Sequence, residues 1–311
     1  MTYLHIHRAP IGVSIQDEGR KGYLRYGVSE AGPMDWARHS MVNRMLDNPA
    51  GAAALEVGPA GVGLSLDVGE LQLSFAGSRF TLNIDERKLT GPVRFVLKAG
   101  QKLELIPRSG AMWGYLGLQG GFELPTLLGS YAENSVSGLA ACKVSTGSRL
   151  PVSVKPIKSP GMQAYVDPYI ALENQPLEII PSSQFDSFSP EVRELLINTP
   201  VAIAPRFDRM AYQLSGIRLK CKEGHDILSD GVTMGAIQVP GDGRPFVLMA
   251  DHQPTGGYPK MACICKADLP RLAQMAPGRL FNLQWTTPEQ ALQRWLAIYT
   301  QIETLTKLHG I

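Results

Sequence analysis

The chain is predicted to be mainly β, an antiparallel barrel or sandwich architecture carrying a few helices. Short apolar runs alternate with Gly, Pro and Asp punctuation along most of the 311 residues. Glycine and proline stand at 32 and 23 without any periodic repeat, which implies many turns and therefore many short strands. Helical stripes are few and separable. Strands packed this closely in sequence argue against βαβ units, so no Rossmann or flavodoxin-like sheet is expected.

In chain order, Val13-Ser14-Ile15-Gln16 opens as a short strand running into the Gly-punctuated polar turn Asp17–Tyr23. Asp35 then caps a helix of roughly 12 residues through Trp36, Met41, Val42, Met45 and Leu46, stopped at Asp47-Asn48-Pro49. Residues 61–66, 70–75, 79–84, 93–97 and 102–106 follow as period-two strands. The polar, proline-bounded stretch Pro181–Pro190 is the candidate linker, dividing the chain into domains 1–188 and 189–311. Beyond it, Pro190–Leu196 and Asp268–Met275 are short helices, the second capped by Asp268. Thr287 and Gln290 form a capping box with Pro288 at the first helical position. Ala291, Leu292, Trp295, Leu296, Tyr299 and Ile302 then make an apolar stripe that packs on a domain or a partner.

Composition narrows the function classes. Hydrophobic residues at 44% and charged residues at 19% describe a globular protein that folds by burial. A net charge of +2 and the lack of a basic run with interleaved aromatics make nucleic acid an unexpected partner. The N-terminus lacks the apolar core of a signal peptide and no stretch approaches a membrane span, so a cytoplasmic, soluble protein with no membrane partner is expected. Cys142, Cys221, Cys263 and Cys265 have no CxxC or zinc-finger spacing and read as reduced cysteines. His5 and His7 share a strand face without a third ligand nearby, so no metal is expected. There is no P-loop, no GxGxxG, no GxSxG elbow and no HExxH helix.

The densest functional signal is Asp251-His252-Gln253-Pro254-Thr255-Gly256-Gly257-Tyr258-Pro259-Lys260, a polar loop hung on the apolar run Pro245–Ala250. Adjacent glycines permit φ > 0 and could present their amides as a small nest for an anion or carbonyl. Glycine pairs are also common hairpin turns, but a plain turn needs none of Asp251, His252, Gln253 or Tyr258. Other polar clusters lie at Gln16–Arg20, Gly27–Asp35, Pro205–Tyr212 and Asp230–Pro240.

Ser14-Ile15-Gln16-Asp17-Glu18-Gly19-Arg20, Gly32-Pro33-Met34-Asp35, Ala53-Ala54-Leu55-Glu56, Asp208-Arg209-Met210, Gly235–Pro240, Gly256-Gly257-Tyr258-Pro259 and Asp268–Gln274 occur in that order. In this the chain resembles the biotin-dependent carboxyltransferase family, also called allophanate hydrolase subunit 2, which includes the C-type subunit of 5-oxoprolinase. It departs from the family at Gly129-Ser130-Tyr131-Ala132-Glu133, Ala140-Ala141, Gly147-Ser148 and Pro254. The resemblance implies two cyclophilin-like β-barrel domains, a homologous B-type partner subunit and sometimes a third subunit. It implies ATP as co-substrate of the complex in opening 5-oxoproline to glutamate. Other members move CO₂ from carboxybiotin to urea, and one branch antagonises an inhibitor of a sporulation kinase. The chain has no biotinyl-lysine signature, so carboxybiotin would arrive on another domain.

The residues then take roles toward a small carboxylate or amide substrate. Arg20 and Arg209 are candidate anion clamps, because a guanidinium offers a planar pair of donors. Asp17, Asp251 and His252 are candidate proton-transfer groups, His252 titrating nearest neutral pH. The Gly256 and Gly257 amides would stabilise an oxyanion, while Gln16, Gln238, Gln253 and Tyr258 orient the ligand.

Overall fold

The computed structural model describes residues 2–157, 161–222 and 224–308. Its strands form three main sheets. The first runs Arg149–Val152, Thr2–Arg8, Val62–Leu66, Lys102–Pro107, Phe80–Ile84 and Arg87–Leu89 in space; the second runs Gln163–Ala164, Val93–Lys98, Glu70–Gly77, Gly114–Leu118, Ala54–Val57 and Val13–Gln16. The third, eight-stranded sheet is built from segments between Leu177 and Trp285. Pairing is antiparallel except where Leu177–Pro181 meets Leu283–Trp285. The mainly β, barrel-like architecture expected from the sequence is therefore the one observed.

Alternation explains the first two sheets. In Phe80–Ile84 every second side chain is buried, and Val93–Lys98 repeats the pattern. Their inward faces, with Leu4, Leu64, Leu73, Phe75 and Leu105, close one apolar core. Phe246–Leu248, shorter than the apolar run that predicted it, is flanked by Ala211–Ser215 and Ala236–Gln238, so it is buried as a central strand. Strand pairing changes over between Ala164 and Leu177. We propose the domain boundary there, ahead of the 188/189 division suggested by composition, because Leu177–Pro181 pairs on both edges within the eight-stranded sheet.

Four α-helices are seen among the described residues. Helix α1, Trp36–Arg44, starts where Asp35 accepts the Arg38 amide at 3.0 Å, and it ends about two residues before the expected stop. Met34, Ala37, Met41 and Val42 join a second core shared with Ile237, Met249, Met261 and Leu272, so α1 is wedged between the two halves. Helix α2 is Pro190–Asn198, capped by Ser189. Helix α3, Leu269–Ala273, carries no side-chain cap from Asp268, contrary to expectation. The Asp268 carboxylate instead accepts the Glu178 amide at 2.7 Å and pairs with Arg271 and Arg294, tying the helix to the sheet. Helix α4, Pro288–Glu303, has the predicted capping box, and Trp295 packs edge-on to Trp36. The C-terminal helix thus returns to α1 and holds the two halves together.

Candidate functional site

The expected site residues fall into three groups. Gly19, at φ +85, turns the chain after Gln16 so tightly that a Cβ there would lie 2.6 Å from the Glu30 carbonyl oxygen. That turn buries Arg20 completely. One Arg20 nitrogen, Nη2, donates to the Ala132 carbonyl, while Nε and Nη1 meet no hydrogen-bond partner among the described residues. Burial lowers the Arg20 pKa, against the opposing pull of Asp17 and Asp251. Gln16, also fully buried, donates to Ser14 and to the Glu133 carbonyl, leaving its Oε1 unpartnered. Asp17 accepts from the Gly19 amide at 2.9 Å, the Ser130 hydroxyl at 2.6 Å and the Tyr131 amide at 2.8 Å. Asp17, expected from the sequence as a proton-transfer group, thereby ties the Ser130–Tyr131 segment to the turn at Gly19.

The second group is a buried charge cluster at the junction of the two halves. Arg209 donates Nε and Nη2 to Asp251 at 3.1 and 2.8 Å, Nη2 to the Gly32 carbonyl at 2.6 Å, and Nη1 to Glu56. Burial alone would lower its pKa, but the carboxylates of Glu56 and Asp251 raise it. Asp251 additionally accepts the Ser135 amide and hydroxyl at 2.8 and 2.7 Å. Three of these four hydrogen bonds fall on Asp251 Oδ2 and one on Oδ1. Asp251 and Arg209, expected from the sequence as a proton-transfer group and an anion clamp, are here paired with each other and tie segments of the two halves together. Glu56, which sequence reasoning did not single out, accepts the Tyr115 hydroxyl at 2.6 Å and the Met34 amide at 2.9 Å. A lone carboxylate inside the apolar strand Ala54–Val57 was the available signal.

His252 lies beside this cluster and is partly buried. Its Nδ1 sits 2.6 Å from the Gln253 carbonyl oxygen. A carbonyl only accepts, so Nδ1 carries the proton and Nε2 keeps its lone pair. Burial lowers the His252 pKa, which keeps the ring neutral near pH 7 despite Glu30 and Asp251. Asp251 acts through space on both Arg20 and His252, so cation and base share one electrostatic neighbourhood. Glu133, another residue that sequence reasoning did not assign, is pushed above the usual carboxylate range by burial, with Lys143 and Arg209 opposing. Gln253 Oε1 is buried and unpartnered.

The third group stands apart. Gly256 pairs with Asp230 in a two-stranded ladder, and neither Gly256 nor Gly257 has positive φ, so the expected amide nest is not formed. The backbone at Gly256 approaches Gln238 closely: a Cβ would come 2.6 Å from Gln238 Nε2, so that amide would have to shift. Gln238 donates to the Tyr258 carbonyl at 3.3 Å, and Tyr258 lays its ring edge-on to Phe246. Buried Lys260 donates to Asp230 at 2.7 Å and closes the loop. Among the described residues no hydrogen bond or ion pair joins Gln238, Gly256, Gly257 or Tyr258 to Arg20. No group of three or more His, Cys, Asp or Glu side chains among the described residues is placed to hold a metal, and no helix of the described residues is long and apolar enough to cross a membrane.

Among curated proteins, the chain is 33% identical to the C-type subunit of 5-oxoprolinase from Escherichia coli (strain K12) over 295 residues, covering 93% of each. It is 26% identical to a urea amidolyase of Saccharomyces cerevisiae, covering 85% of this chain and 16% of that protein. Among solved structures, a Kluyveromyces lactis urea amidolyase superposes with a TM-score of 0.87 at 21% identity over 97% of this chain; the chain spans only 20% of that polypeptide, and the likeness is one of fold. The family model described as carboxyltransferase domain, subdomain A and B, matches residues 26–285, and the chain belongs to that carboxyltransferase family.

Proposed function

We propose that this chain is a subunit of an ATP-dependent 5-oxoprolinase-type complex, completing with a homologous partner subunit, and with a third where one is present, a site for a small lactam or amide that carries a carboxylate. The observation that carries the reading is Arg20: a fully buried guanidinium with two unpartnered nitrogens. A buried cation without an ion-pair partner costs several kcal/mol, and a ligand carboxylate would relieve that cost through a charge-assisted hydrogen bond. The unpartnered Gln16 Oε1 and Gln253 Oε1 would accept from an amide N–H, which a lactam supplies. His252, neutral and with Nε2 free, is the proton acceptor; Asp17, Asp251 and Arg209 position these groups. The similarity to the C-type subunit of 5-oxoprolinase over nearly the whole of both chains supports the substrate class. ATP serves as co-substrate of the complex.

A second reading, carboxyl transfer from carboxybiotin to urea or a related amide, is favoured by the similarity to urea amidolyase. The test is reconstitution of the chain with its partner subunits and assay of 5-oxoproline-dependent ATP hydrolysis. Turnover that requires this chain is the expected result. Full turnover without it, or urea-dependent decarboxylation of carboxybiotin in place of 5-oxoproline turnover, overturns the reading.

A further inference from the structure

A cavity of about 570 Å³ opens at the junction of the two halves, and none of the residues expected from the sequence to form the site lines it. Its walls carry Arg38, Arg79, Arg108, Arg271 and Arg279, drawn from segments far apart in the chain. The volume falls within the roughly 300–1,000 Å³ of small-molecule sites. Two arginines form a buried floor. Arg38 is held by Asp35 at 2.6 Å and Asp167 at 2.7 Å, and Arg271 by Asp268 at 2.6 Å. Both are more than nine-tenths buried, and each leaves its Nε without a hydrogen-bond partner among the described residues.

The rim is different. Arg79 and Arg279 share a single carboxylate, Glu173, at 3.5 and 3.1 Å. Arg108 forms no ion pair among the described residues and is exposed. The rim has three cations against one carboxylate, while on the floor Arg38 and Arg271 are matched by Asp35, Asp167 and Asp268, so the free cationic donors lie at the rim. A phosphate monoester carries about −1.5 to −2 at neutral pH and offers three acceptor oxygens, one for each rim guanidinium, whereas a carboxylate offers two. Guanidinium forks match phosphate oxygens bidentately. The rings of Tyr169 and Pro92 supply an apolar wall for the body of such a ligand.

We propose that this cavity binds a phosphorylated small molecule, with its phosphate held between Arg79, Arg108 and Arg279 and its body against the floor. The site stands independently of the substrate assigned to Arg20. Calorimetric titration of the full chain with AMP, inorganic phosphate and adenosine at low salt tests it. AMP binds and adenosine does not; inorganic phosphate as tight as AMP means that the phosphate alone is read, and weaker phosphate means that the body contributes, both within the proposal. Arg108→Ala/Arg279→Ala weakens AMP by about 10-fold or more, whereas Arg87→Ala, an exposed arginine that does not line the cavity, leaves it unchanged. If the double variant does not fold, Arg108→Glu at the exposed rim position is titrated in its place, with the same expected loss. Absence of AMP binding to the wild type, adenosine binding as tightly as AMP, or an unchanged affinity in the rim variant overturns the proposal.

Discussion

Replacing Arg209 by Met tests the buried charge cluster that joins the two halves. The substitution keeps an unbranched side chain but removes the donors to Asp251, Glu56 and the Gly32 carbonyl. Glu56 and Asp251 are 0% and 1% exposed, so two carboxylates would be left in the interior without their ion-pair partner. Breaking a buried pair in this way costs about 3–5 kcal/mol. Glu56 would still hold the Tyr115 hydroxyl and the Met34 amide, and Asp251 would still hold Ser135. These retained donors place the loss near the lower end of that range. At about 2 °C per kcal/mol for a chain of this size, the melting temperature should fall by about 6–8 °C. Urea unfolding followed by the fluorescence of the four tryptophans reads the change as a shifted midpoint at constant slope. Arg209→Met/Glu56→Gln/Asp251→Asn, which removes all three charges, should recover most of the loss, because neutral replacements lift the desolvation cost. A single-variant loss below about 1 kcal/mol, or a triple variant less stable than Arg209→Met, would refute the reasoning.

Four further outcomes follow from the structure. The reconstituted complex should show an acid limb in its pH–rate profile centred below 6.5, since burial lowers the His252 pKa and the base works unprotonated; a midpoint at or above 6.5 contradicts that role. The same shift sets a stability slope: with the folded pKa below the unfolded one, the stability His252 contributes is complete above about pH 6.5 and lost as the pH falls through the folded value, so His252→Gln should flatten denaturation midpoints measured through that acid range. Gly256→Ala should cost about 1–3 kcal/mol by thermal unfolding, because the new Cβ would overlap Gln238 Nε2 inside a packed region; a neutral effect would show that Gln238 swings away freely. Thr287→Ala removes the capping box of α4 and should cost about 1 kcal/mol by the same measurement.

Local chemistry makes the strands and helix starts legible. Alternation in Phe80–Ile84 and the caps at Asp35 and Thr287 depend on neighbours within a few residues, and sequence displays those directly. The pairing of Leu177–Pro181 with Leu283–Trp285 joins segments about a hundred residues apart, and nothing in either segment specifies the other. The site divides in the same way. The polar loop after Phe246–Leu248 is visible in sequence as a cluster of functional side chains, but which of them face a ligand is not. Arg209 and Asp251 look like ligand groups in sequence because the pair is 42 residues apart and Glu56, the other carboxylate on Arg209, lies 153 residues from it. Gly256 suggests φ freedom, whereas the fold uses its missing side chain to admit Gln238. Arg20 is the converse case: its type suggests a clamp, and its unsatisfied burial gives that suggestion a physical reason.

The central claim is that the buried Arg20 guanidinium holds the carboxylate of the substrate. Steady-state kinetics of 5-oxoproline-dependent ATP hydrolysis by the reconstituted complex carrying Arg20→Gln measures it most directly. Loss of one charge-assisted contact, about 1.5–3 kcal/mol, corresponds to a KM for 5-oxoproline raised by about 10-fold or more, with a smaller change in kcat. A KM equal to that of the wild-type complex, at full occupancy of the subunit, would contradict the account.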